Sequence, residues 1–131
     1  MLLSFIANQP ITRGSTVSVL GQPLGQIRPI NPEFFSDSRG IGIAIDSVDV
    51  GSLCRVVSRG IVDGFSGLEP GKGYFAPING GSPVLYNEFA NQFLTSAISG
   101  AYLVGVGKAL TEEQFSVNMS PPVFVARDSL N

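Results

Sequence analysis

Histidine and tryptophan are absent from this chain, and cysteine occurs once. Without His, Ser-His-Asp triads, Cys-His dyads and His-bearing zinc sites are excluded. Cys54 has no second cysteine to bond within the chain. It sits in the apolar run Leu53 to Val57, where a buried, inert thiol is expected. Charge is scarce too: 14% of the residues are charged, against roughly 25% in ordinary soluble domains. Much of the surface must then be Ser, Thr, Asn, Gln, Gly and main chain, or be apolar and covered by a partner. The eight basic residues are scattered and the net charge is −2, so nothing attracts a polyanion and nucleic acid is not an expected partner. No apolar run approaches the roughly eighteen residues of a membrane helix, so no membrane span is expected either. Met1 to Ala7 is apolar but lacks a basic leader and ends at Asn8-Gln9-Pro10, which favours synthesis in the cytoplasm over secretion. On that ground the sequon Asn118-Met119-Ser120 reads as coincidence.

What the chain does have is an internal echo. Thr12-Arg13-Gly14, a long loop, Ile41-Gly42-Ile43-Ala44-Ile45, an acidic turn and the strand Leu53 to Val57 are followed by a second phrase in the same order. That phrase is Glu69-Pro70-Gly71, a longer loop, Leu103-Val104-Gly105-Val106-Gly107, the turn Leu110-Thr111-Glu112-Glu113 and the strand Phe115 to Met119. Gly14 and Gly42 are 28 residues apart, Gly71 and Gly105 34. The doubled phrase predicts two similar half-units around one core, the alternative being chance recurrence of glycine turns in a small β protein.

Sixteen glycines and nine prolines punctuate short runs rich in Val, Ile and Phe. That rhythm predicts an all-β fold, a compact β-barrel or a β-tulip-like sandwich with long loops and at most one short helix. Strands are expected near residues 16–20, 41–45, 53–58, 60–62, 73–77, 103–109, 115–119 and 123–126. The helix is placed over Glu88 to Leu94, where Phe89 and Phe93 share a face. Pro23, Pro29 and Pro32 predict an extended surface excursion from Gln22 to Arg39 that ends at Phe34-Phe35. At 131 residues one core suffices. The expected division is an N-terminal arm over 1–11, a single β domain over 12–119 and a C-terminal tail over 120–131.

Candidate chemistry is thin. Glu112 and Glu113 are adjacent, so in an extended strand they point to opposite faces, and a solvated turn is the expected setting. Asp46, Asp49 and Gly51 lack the alternating oxygen ligands and closing Glu of a calcium loop. Gly71-Lys72-Gly73 fails the phosphate-loop spacing, with Ser66 where the first glycine belongs and no Ser or Thr after the lysine. Tyr74, Phe75, Tyr86, Phe89 and Tyr102 could offer a platform to sugar but are expected to pack in the core. No catalytic residue, metal site or cofactor is expected.

The phrases Gly51 to Val62, Leu68-Glu69-Pro70-Gly71-Lys72-Gly73-Tyr74-Phe75 and Val104-Gly105-Val106-Gly107-Lys108-Ala109-Leu110 together resemble small structural proteins of tailed phages. These are capsid decoration (cement) proteins and the β-rich modules of head and tail fibres, which join a G-x-V strand, an L-x-P-G-x-x-Y turn and a V-G-x-A strand. The resemblance covers roughly Gly40 to Met119. It implies a non-enzymatic virion protein on the capsid surface, forming a homotrimer and bound to the major capsid protein. The alternative it implies is a receptor-binding or carbohydrate-binding module of a tail fibre or spike. The residues expected to make the contacts are the apolar ones of the two ends, Met1, Leu2, Leu3, Phe5 and Ile6 with Val123, Phe124 and Val125, together with Phe34 and Phe35.

Overall fold

Strands alternate their side chains between two faces, and the burial of residues 53–57 follows that period of two. In the computed structural model, which describes residues 1–20, 25–34, 39–78, 81–96 and 98–126, five strands of the chain's first half close into a barrel. They are β1 (Leu2–Ala7), β2 (Thr16–Val19), β3 (Gln26–Pro29), β4 (Gly40–Ala44) and β5 (Leu53–Val57), in the order β1-β3-β2-β4-β5. All neighbours are antiparallel except β1 and β3, whose parallel pairing is one seam of the barrel. Ala7, Val17, Ile27, Ala44, Cys54 and Val56 fill the interior, and Ile11 joins the same cluster.

After a single intervening residue, Ser58, the chain continues as β6 (Arg59–Val62), the first strand of a second sheet. The others are β7 (Gly73–Phe75), β9 (Gly105–Ala109) and β10 (Phe115–Asn118), in the order β6-β10-β9-β7 and antiparallel throughout. Their core gathers Val62, Leu68, Tyr74, Val106, Ala109, Phe115 and Val117. It also takes in Ile30 and Ile43 of the first half, which fuses the two halves into one body. Between β7 and β9 lie the helix α1 (Tyr86–Thr95) and β8 (Gly100–Leu103), which pairs with the last strand, β11 (Val123–Ala126). A ten-residue helix is marginal alone. This one is held by Phe89 and Phe93, both fully buried with Ala101.

The echo in the sequence is a structural repeat. In chain order β1, β2, β4 and β5 pair as β1-β5-β4-β2, and β6, β7, β9 and β10 pair as β6-β10-β9-β7, the same arrangement. Registers coincide: Val17 lies opposite Gly42 as Tyr74 lies opposite Gly107, and each ladder shifts register at the next residue, bringing Gly40 and Gly105 into line. Each half opens with the same turn. Gly14 N–H donates to the Ala44 carbonyl and Gly71 N–H to the Ala109 carbonyl, both at 2.8 Å, while Ala44 and Ala109 N–H return bonds to Ser15 and Lys72. Gly14 and Gly71 have φ of 91° and 83°, where only glycine is comfortable. Gly42 and Gly107 are needed for another shared reason: a Cβ there would lie 2.2 Å from the Val57 carbonyl oxygen or 2.0 Å from that of Ser116. The alignment places Gly42 against Gly107, two residues beyond the Gly105 expected from the sequence.

Most expected strands and the helix are present, and the all-β reading holds. Three segments behave differently. Met1 to Ile11, expected to stand apart as an arm, contains β1, which is hydrogen-bonded into the barrel between β3 and β5 and buries Ala7. The excursion expected over Gln22 to Arg39 contains β3, the strand that closes the barrel. The strand expected over 103–109 is two, β8 and β9, parted at Val104.

Candidate functional site

The register of β1 on β5 sorts the N-terminal side chains. Leu3 and Phe5 lie opposite Val56 and Cys54 on the barrel-facing side, and both are half-buried. Leu2 and Ile6 lie opposite Val57 and Leu53 on the outer side. There Leu2 and Leu53 are 55% and 64% exposed and Ile6 is half-buried, while Met1, just before β1, is 73% exposed. At the other end of the chain Val123 and Phe124 are each 60% exposed, whereas Val125 packs against Phe89, Phe93 and Ala101. The Phe124 ring lies 5.4 Å from that of Tyr102 on β8. Tyr102 N–H donates to the Pro32 carbonyl at 2.7 Å, so the 31–34 turn, with its exposed Phe34, runs alongside β8. Of the residues expected to make contacts, Met1, Leu2, Phe34, Val123 and Phe124 are thus offered to solvent. Leu3, Phe5 and Val125 are turned inward, and Phe35 lies outside the described residues.

The polar groups are mostly occupied by structural work. Asp46 Oδ2 accepts from the Arg55 main-chain N–H and from Nε, and Oδ1 accepts from Nη2 at 2.8 Å. These bonds hold its carboxyl at about 2, well below its ordinary 3.8. Thr111 Oγ1 occupies the corresponding place in the second half, accepting from Gln114 N–H. Burial raises the Cys54 thiol, which keeps it in the unreactive protonated form. Tyr74 OH accepts from Glu69 N–H, and Tyr74 and Phe89 are buried as expected of core aromatics. Glu112 and Glu113 sit exposed on the turn between β9 and β10.

One concave feature has no counterpart in the sequence motifs. A cavity of about 390 Å³ lies beside β6 and β7, lined among others by Arg13, Asp63, Phe65, Ser66, Tyr74 and Ser82. Arg13 reaches it from the first half, donating through Nη1 to the Ile45 carbonyl and through Nη2 to the Asp63 carbonyl, both at 3.0 Å. The Asp63 carboxylate turns instead to Gln114 Nε2 at 2.9 Å. These residues are scattered along the chain, so no local motif announces the cavity; only the pairing of the repeat brings them together. No family model, no curated protein and no solved structure matches the chain.

Proposed function

We propose that this chain is a virion structural protein that acts by being covered, specifically a capsid decoration protein seated on the major capsid protein as a homotrimer. The observation that carries the reading is the placement of large apolar side chains. Leu2 and Leu53 on the barrel and Val123 and Phe124 on β11 stand in solvent on regular strands, and Met1 just before β1 is exposed with them. Scattered single apolar residues are ordinary, but neighbouring ones on a rigid strand suit a surface that meets a partner. The sequence resemblance supplies the kind of partner. Attachment of this kind depends on apolar burial and main-chain contacts, so it should resist salt.

The deciding comparison uses a virus lacking the gene. Loss of the decoration protein should lower the temperature at which particles release their genome and leave adsorption to cells unchanged, because binding energy realised only on the assembled shell stabilises that shell. Normal head stability with failed adsorption would overturn the reading in favour of a fibre module. Light scattering on the purified chain should give a trimer mass.

A further inference from the structure

We propose that the cavity beside β6 and β7 is an acceptor site for a short extended peptide bearing a carboxylate, which completes the seam that the first half closes with its own β3. The proposal is independent of the apolar surfaces described above.

The repeat identifies what the cavity is. Leu3 opposite Val56 corresponds to Val62 opposite Phe115, so Ile6-Ala7 of β1 corresponds to Phe65-Ser66. The Ser18 to Arg28 pair corresponds to the single bridge between Phe75 and Val84, so Gln26-Ile27 of β3 corresponds to Ser82-Pro83. In the first half these partners are joined. Ile6 lies opposite Gln26 and Ala7 opposite Ile27, and Asn8 N–H donates to the Ile27 carbonyl at 2.7 Å. In the second half Phe65, Ser66, Ser82 and Pro83 all line the cavity instead, and among the described residues no main-chain hydrogen bond joins the two segments.

The sequence explains why this seam stays apart. Pro83, standing where the first half has Ile27, has no N–H to give to a ladder. On the opposite side Gly64 and Gly67 have φ of 94° and 71°, turning that segment out of the extended course that β1 follows. The result is a gap of about 390 Å³ between two segments that do not pair with each other, the place where an added strand would meet them.

Arg13 selects the chemistry of the occupant. Its guanidinium is pinned by two carbonyl oxygens, which leaves further N–H donors. No carboxylate among the described residues forms an ion pair with Arg13: Asp46, which feels its charge, is held by Arg55, and the Asp63 carboxylate is held by Gln114. A planar, permanently charged donor fixed in the lining of this gap matches a carboxylate carried by an extended segment.

The test uses the full chain labelled with nitrogen-15, titrated with acetyl-Thr-Val-Thr-Val-Glu and with the same peptide ending in Gln-amide. Amide shifts should be confined to Arg13, the 63–68 segment and Ser82, and the amide peptide should bind about tenfold or more weakly, as loss of a charge-assisted pair requires. Ser82→Trp, at an exposed rim position, should block binding with the melting temperature unchanged. Ser66→Trp on the opposite rim serves the same purpose should the first variant misfold. Equal binding of both peptides, shifts centred on β1, β5 or β11, or no saturable binding at millimolar peptide would overturn the proposal. Saturation by neutral monosaccharides in place of the acidic peptide would overturn it as well.

Discussion

The two halves of this protein share strand order, register and the position of one irregularity, yet the first closes on itself and the second does not. The largest difference lies in the segment between the second and third strands of each half, with Gly64 and Gly67 turning the residues after β6 aside as well. In the first half that segment contributes β3, which spans from β2 to β1. In the second, among the described residues, it bridges to β7 at Val84 and then departs into α1 and β8, which build a separate small core with β11. Closure therefore depends on the segments that flank the seam rather than on the shared strand framework. The second half can remain open because Ile30 and Ile43 of the first lend it apolar cover.

The sharpest way to break this comparison is to hollow out equivalent core positions. Phe115 and Val56 occupy the same place in the two halves. Phe115→Ala should cost about 3–5 kcal/mol by urea unfolding and Val56→Ala roughly 2 kcal/mol, since the larger side chain leaves the larger void. A costlier Val56 variant would mean that the closed barrel, not the shared core, carries the stability. Next come the paired glycines Gly42 and Gly107. Alanine at either should cost about 1–3 kcal/mol, because the added methyl meets the neighbouring strand's carbonyl in both halves. A large effect at one and none at the other would refute the structural equivalence. At the turn glycines the cause is conformational rather than steric. Gly71→Ala should cost about 1–2 kcal/mol from its positive φ alone, with open space around the new methyl. Gly14→Ala should cost somewhat more, because the new methyl would sit 3.2 Å from Ser82 Oγ.

The smallest effect distinguishes the halves by acid. Asp46 closes the β4 to β5 connection as a carboxylate, whereas Thr111 closes the β9 to β10 turn as a neutral hydroxyl. Folding lowers the Asp46 pKa from 3.8 to about 2, so its contribution is fully present above about pH 4 and is lost as the pH falls toward 2. The pair is solvent-exposed, so the loss is modest. Amide exchange should show the first half loosening in that window before the second, and Asp46→Asn should abolish the difference. Equal loosening of both halves would assign the acid response elsewhere.

Much of this architecture is legible in the sequence where a strand is defined by its own side chains. β5, β6, β10 and β11 announce themselves by β-branched alternation, and Phe89 with Phe93 locates the helix face. β3 is hidden because only Ile27 of its four residues is buried; it is a strand by virtue of its neighbours, and its proline and arginine suggest a loop. β1 carries the right apolar residues, but nothing local distinguishes a terminal strand that closes its own barrel from one that reaches elsewhere. The repeat is visible but its register reads two residues off, since Val104-Gly105-Val106 imitates Ile41-Gly42-Ile43. The constraint that fixes the true match, a carbonyl pressed against Gly107, exists only after the strands pair. The cavity is illegible for a related reason: it is defined by a pairing that does not occur, between Phe65-Ser66 and Ser82-Pro83.

Ser58 alone separates β5 from β6, and its N–H and hydroxyl both bond the Met1 carbonyl. A load passed from one half to the other through this stretch therefore crosses a single bend that is strapped by Met1. Any extension added ahead of Met1 would enter at that strap, so a tag fused there should loosen the junction between the halves before it disturbs either core.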